Sequence, residues 1–262
     1  MNRLIIGQFY SADSPMHRLD PRVKLLGVLA FITVILFITH FNGYVLAAAY
    51  LLSVIKLSKV PFRFFIRGLR AILFILLFAS VINLLLTPGE TVLFSVGFLR
   101  LTTQGIYRAG IMGARLILLV TGSAVLTLTT SPIKLTDGIE SLLRPLRLPT
   151  HDIALMMTIA LRMVPTLAEE MERIMRAQKA RGANLSSGGP IKRAKNLLPI
   201  LVPLFISCFK RADELATAME ARGYRGGKGR SKMHPLYFTK KDFLASGVHL
   251  LFCGVLLFSR FV

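Results

Sequence analysis

The sequence predicts an all-α, polytopic membrane protein of about five transmembrane helices, with two long cytoplasmic helices between the fourth and the fifth. Three observations carry that expectation. Hydrophobic residues make up 53% of the 262-residue chain while its formal net charge is +20, two properties that coexist only if they are segregated along the sequence. The apolar residues gather in blocks at 23–41, 44–57, 71–87, 106–130 and 243–262, each near the roughly 20 residues needed to cross a ~30 Å hydrocarbon layer. The positive charge gathers between the last two blocks, where residues 131–241 hold 20 Lys+Arg against 9 Asp+Glu, a net of +11.

The start of the chain, "MNRLIIGQFYSADSPMHRLDPRVK", is polar and carries no short apolar core followed by a small-residue cleavage site, so no signal peptide is expected. Within it His17, Asp20 and Arg22 form a polar cluster that can stake the first span at the inner surface. His17 has no neighbour at metal-ligand spacing. The second block is short for a lone span, and a tight turn at Asn42–Gly43 is expected to fold it back on the first. The positive-inside rule places 131–241 in the cytoplasm, together with the loop 56–70 and its five Lys/Arg, and leaves 88–102 outside and the N-terminus inside. Arg108 and Arg115 are seven apart on one face of the fourth span. Arg108 can snorkel to the outer interface, whereas the deeper Arg115 either hydrogen-bonds a polar group such as Asn83 or serves substrate or gating.

The cytoplasmic stretch reads as three helices. The first opens at Ser131–Pro132 and carries an apolar stripe of Leu135, Ile139, Leu142, Leu143 and Leu146, suited to the membrane surface. The second is expected over 150–181, kinked at Pro165 and ended by Gly182. After a Gly/Ser-rich turn at 184–190, the third is expected over 191–222, interrupted near Pro199 and Pro203 and ended by Gly223. A stripe of Phe205, Cys208, Ala212, Leu215 and Met219 would pack it along the second. Met157, Met163, Met171, Met175 and Met219 supply either adaptable contact surface or ordinary helix-helix filler.

Both long helices end alike. Ala177-x-x-Ala180-Arg181-Gly182 returns forty-one positions later as Ala218-x-x-Ala221-Arg222-Gly223. A terminal Arg-Gly is ordinary helix-ending chemistry when met once. Two copies, each with two alanines one turn apart, suggest two plugs: small residues admit a partner backbone, and a guanidinium can hold a carboxylate in two parallel bonds.

These features resemble the transmembrane coupling subunit, or T-component, of energy-coupling factor (ECF) transporters. The likeness rests on the paired Ala180-Arg181-Gly182 and Ala221-Arg222-Gly223 signatures, on the "GQFYSADSPMHRLDPRVK" start and on the order of the blocks, and it covers essentially the whole chain. The resemblance implies an N-terminal membrane domain at 1–130, a coupling domain at 131–240 whose two long helices cross as an X, and a C-terminal span at 241–262. It also implies two ABC ATPase partners, which would carry the ATP and magnesium, and one or several membrane S-components that select a vitamin or metal. The chain itself would bind no cofactor and catalyse nothing. The expected setting is a prokaryotic cell membrane. The motifs differ in their middle residues, Gln178-Lys179 against Met219-Glu220, which hints at non-identical ATPases. The extended N-terminal motif looks like the version shared among S-components. The alternatives are a coupling subunit dedicated to cobalt, nickel or biotin, and a conventional ABC permease.

Other function classes fit poorly. No G-x-x-x-x-G-K-[ST] phosphate loop exists, since "GGKGRS" at 226–231 has the wrong spacing, so the energy must come from a partner. A nucleic-acid role lacks a recognisable module, and the basic residues already serve topology and anionic-lipid contact. A secondary transporter would need ionisable groups or broken helices at the bilayer midplane and repeats among its spans. Cys208 and Cys253 belong to no Cys/His cluster with metal-ligand spacing.

Overall fold

The computed structural model describes residues 9–86, 92–96, 99–143, 145, 150–183, 189–226 and 236–258. The turn expected at 184–188, Gly7 and Gln8 of the N-terminal motif, Leu146 of the amphipathic stripe and most of the 226–231 segment lie outside these residues. The chain divides into two compact units, one of residues 7–142 and 235–262, the other of 143–234 with 1–6.

The larger unit begins with two capped starts. Ser14 caps α1 (Pro15–Arg18) and Asp20 caps α2 (Pro21–Phe37), in each case with proline at the first helical position, where its missing N–H costs nothing. α3 (Phe41–Ser58) ends at Lys59, held left-handed at φ 54° with its N–H donated to Lys56. α4 spans Phe62–Leu86, then β1 (Val92–Val96) pairs antiparallel with β2 (Leu99–Thr102). Buried Thr102 caps α5 (Thr103–Thr129) by accepting from Gly105 N. α6 (Pro132–Leu143) and α9 (Lys240–Phe258) complete the unit.

α5 packs against α2, α3 and α4, and α9 packs against α2 and α3. The core is a single apolar cluster drawn from these helices: Phe31 and Ile35 of α2 with its C-cap Ile38, Tyr44, Ala47 and Leu51 of α3, Phe65 of α4, Leu118 and Leu128 of α5, and Leu256 of α9. Helix-period spacing places the α2 residues on one stripe. Gly122 lets α5 approach closely, since a Cβ there would lie 2.9 Å from the Phe31 ring. The outer faces keep Leu29, Leu36, Phe74, Phe78, Leu250 and Leu251 exposed, as a hydrocarbon solvent requires. Among the described residues, α3, α5 and α9 are long and apolar enough to cross a membrane.

The smaller unit contains α7 (Thr150–Ala180) and α8 (Pro190–Ala221), packed on each other. At 1.5 Å per residue these 31- and 32-residue helices are about 46–48 Å long.

Four local expectations change. The first hairpin turns at Ile38–His40, and Asn42 and Gly43 sit in the first turn of α3. Arg63, Arg67 and Arg70 belong to α4, which begins within the expected loop. α8 runs unbroken through Pro199 and Pro203, because packing on a neighbouring helix outweighs one lost hydrogen bond per proline; α7 is one long helix containing Pro165, as expected. The segment at 88–102, for which only an outside position was expected, contains a strand pair. In α6 the buried residues are Thr136 and Gly138, with Gly138 close on Pro21, while the leucine stripe is half-buried.

Candidate functional site

The two A-x-x-A-R-G ends are built bond for bond alike. Gly182 stands at φ +83° and Gly223 at φ +74°, the left-handed conformation that glycine adopts most cheaply. Gly182 N donates to Lys179 O and Ala183 N to Gln178 O. In the same pattern Gly223 N donates to Glu220 O and Tyr224 N to Met219 O. These are the paired bonds of a Schellman cap, which satisfy carbonyls the helix would otherwise leave open. Arg181 N and Arg222 N each still donate one turn back, to Ala177 O and Ala218 O at 3.2 Å, so both arginines are held directly after the last helical residue. Ala177, Ala180, Ala218, Ala221, both arginines and both glycines are exposed. A Cβ at either glycine would meet nothing within 4 Å, so the dihedral, not crowding, selects glycine.

Between the tips, α7 and α8 share a groove lined by Ile159, Met163 and Leu167 on one side and Cys208, Ala212, Leu215 and Met219 on the other. Four of the five expected α8 stripe residues lie here, while Phe205 is 61% exposed. An ion-pair cluster ties the helices. The half-buried Glu170 carboxylate pairs with Arg173 on its own helix and lies 3.7 Å from Arg211 of α8. Glu170 precedes Arg181 by eleven residues, and Arg211 precedes Arg222 by eleven. Pro165 lies five residues before Glu170 on the same arm.

In the larger unit the structure brings His17, Asp20 and Arg22 together and adds residues that local spacing could not reveal. His17 Nε2 donates to Tyr10 O at 2.8 Å, which leaves Nδ1 to accept from Ser14 Oγ at 2.7 Å in the neutral ring. Asp20 N donates to Asp242 Oδ1 at 2.8 Å, and Thr239 N and Oγ1 both donate to Asp242 Oδ2. Asp242 therefore clamps the start of α9 to the start of α2. Arg22 donates to Leu236 O at 2.7 Å and stacks over Phe238. Its buried Nε lies 3.3 Å from Asp20 Oδ1 without hydrogen-bond alignment. Lys24, 7% exposed, points its ammonium at Thr129 O, Thr130 Oγ1 and His17 O, which joins α2 to the end of α5. Among the described residues no three His, Cys, Asp or Glu side chains gather as a metal site.

Arg115 makes hydrogen bonds to polar groups as the first of its two expectations has it, but with Tyr44 and Ile38 as partners rather than Asn83. It donates through Nε and Nη2 to Tyr44 Oη at 3.0 and 2.8 Å, and through Nη2 to Ile38 O at 3.0 Å. Tyr44 Oη itself donates to Ile38 O. The guanidinium thus closes the C-terminal end of α2, where open carbonyls and the helix dipole favour a cation. Asn83 instead donates to Ala79 O and to Met112 Sδ. Arg108 is exposed on α5.

Comparison with known proteins agrees with this architecture. The family model described as "CbiQ: Cobalt transport protein" matches residues 12–235. The energy-coupling factor transporter transmembrane protein EcfT of Thermosediminibacter oceani is 47% identical over all of both chains. Its counterpart in Clostridium kluyveri is 48% identical over 98% of this chain and 97% of that protein. That in Bacillus subtilis is 44% identical over 92% of each. With a helical membrane unit, a pair of long helices ending in twin Arg-Gly caps and full-length similarity of this degree, the chain belongs to the EcfT family of energy-coupling factor transporter transmembrane proteins.

Proposed function

We propose that this chain couples ATP hydrolysis in two ABC ATPase subunits to micronutrient uptake through a separate substrate-binding membrane protein, with Arg181 and Arg222 as the docking residues. One observation carries the reading: two exposed helix ends with the same pattern of backbone hydrogen bonds, each presenting an arginine between small residues. A planar guanidinium on a rigid cap suits a carboxylate or a helix C-terminus in a groove of an ATPase. Ala177, Ala180, Ala218 and Ala221 keep the approach unobstructed. The ATPases would hold ATP and magnesium, and the chain itself would be a lever.

The ion pair of Glu170 with Arg211 suits this role, because two arms joined between their tips respond together when either tip moves. His17, Asp20, Arg22 and Arg115 would then be structural pins, and Pro165 an adjustable point on one arm. The positive-inside pattern supports a cytoplasmic N-terminus and cytoplasmic tips in the prokaryotic cell membrane. The domain reading follows: 1–130 and 241–262 in the bilayer and 131–240 as the coupling region. The shared version, serving several S-components, is favoured by the extended N-terminal motif. The matched family's description, a cobalt transport protein, favours the dedicated version instead.

The test is the double variant R181E/R222E in the native host, tagged and gently solubilised. ATPase subunits should be lost from the co-purified complex and uptake should fall to background, while the variant stays in the membrane fraction with unchanged helical content. Retained ATPases and uptake would overturn the docking assignment.

A further inference from the structure

The end of the larger unit that carries the starts of α2 and α9 holds a pocket of about 640 Å³ with an unusual lining. Asp13, Ser14, Arg18 and Leu19 form one wall, Lys59 a second, and Thr239, Lys240 and Lys241 the third. Four cations thus face one pocket with a single carboxylate, and that carboxylate is already used: Asp13 takes two hydrogen bonds from Arg18, at 2.8 and 2.6 Å. The hydroxyls are used as well. Ser14 Oγ meets His17, and Thr239 Oγ1 donates to Asp242. Among the described residues Lys59, Lys240 and Lys241 pair with no carboxylate, so three ammonium groups remain to receive an anion.

Lys59 adds a backbone argument. It is the described non-glycine residue with positive φ, at the α3 C-cap where glycine or asparagine is the usual choice. A lysine there accepts conformational strain and in return sets its ammonium at the pocket.

The surroundings identify the anion. Leu57, two residues before Lys59, is 53% exposed, and Phe243 and Leu244, which follow the lysine pair after the buried Asp242, are 69% and 72% exposed. Tyr237 and Phe238, just before it, are exposed aromatics. Cations, then aromatics, then bare apolar surface within one or two turns is the profile of a site at headgroup depth, with room below it for acyl chains. We propose that this pocket binds the phosphate of an anionic phospholipid, with Lys59, Lys240 and Lys241 as its ligands. The proposal rests on this unit lying in the bilayer and not on the docking role of the tips.

The experiment places the purified full-length chain in nanodiscs of phosphatidylcholine containing phosphatidylglycerol, and reads retained lipid by native mass spectrometry after release. K59N/K240Q/K241Q keeps a left-handed-tolerant residue at position 59. K56Q/R63Q/R67Q removes the same charge from other exposed positions of α3 and α4. Phosphatidylglycerol should be retained selectively by the unaltered chain and the control. The pocket variant should lose it by about a hundredfold, as expected for three juxtamembrane lysines. If the pocket variant fails to fold, K59N alone should show a loss of about fivefold. Equal losses in pocket and control variants would overturn the site in favour of general surface charge. Equal retention of both lipids would overturn it too, and so would competition by soluble glycerol phosphate at concentrations comparable to the lipid, since the ligand would then be a free phosphate.

Discussion

The two units solve the placement of charge in opposite ways. In the larger one, Asp242 and Lys24 are buried at 1% and 7% exposure and each is used by a partner far away in sequence, while Asp20, 6% exposed, turns its carboxylate to Arg22. In the smaller one, the described apolar residues that are buried amount to Ala154 and Ile200, and the charged groups stand out on long exposed arms. The larger unit therefore carries its own reasons for its fold. The smaller is held by a thin groove and one ion-pair cluster, as befits an element completed by something else.

The strongest way to break this contrast is at the tips. R181E/R222E should abolish ATPase association yet leave thermal unfolding of the purified chain nearly unchanged, because both side chains are exposed. A large drop in melting temperature would mean that the tips are structural after all. The converse variant is D242A, which strips three hydrogen bonds from a charged acceptor and leaves Lys24 less compensated. A loss of about 2–4 kcal/mol is expected in a denaturation series, with the tip geometry untouched. G122A tests the apolar part of the same unit: its Cβ would meet the Phe31 ring at 2.9 Å, at a cost of about 1–3 kcal/mol. G182A and G223A sharpen the comparison from the other side. Neither meets a neighbour, so each should cost only about 1–2 kcal/mol through its positive φ, read as fraying of the last turn by hydrogen exchange.

The smallest effect is expected at Asp13. Its hydrogen bonds from Arg18, and then Arg18's charge, hold the carboxyl below the ordinary 3.8, so its folded form favours the ionised state. The contribution is present above the ordinary carboxylate range and lost as pH falls through the lowered value. The pair is exposed, so D13N should leave the melting temperature unchanged at neutral pH. A measurable shift there would show that the exterior of this unit matters more than its interior suggests.

What was legible in the sequence follows the same division. The tips are local features, five or six residues long, and their caps could be placed from the Arg-Gly pairs alone. The long helices were legible too, although Pro199 and Pro203 pointed to interruptions that packing overrides. The distant partners of the pins were not legible. Asp20 and Asp242 are 222 positions apart, and Arg115 and Tyr44 are 71 apart. No local pattern encodes such pairings, so Arg115 could only be matched to a nearby polar residue, Asn83. The strand pair had a weak signal in "VLFSVGFLRLT", two alternating runs with a glycine between them, masked by hydropathy.

One spacing carries further. Eleven residues are close to three whole helical turns, only about 20° past them, so each tip arginine leaves its helix in nearly the direction taken by the residue that joins the arms. The arms are thus in phase as well as equal in reach, about 16 Å each from joint to tip. One residue inserted after Glu170 would lengthen its arm by only about 1.5 Å but swing Arg181 by about 100° around the axis. Variation along these arms should be admitted in steps of whole turns, as in a threaded shaft that can be lengthened only by complete revolutions if its key is still to meet its slot.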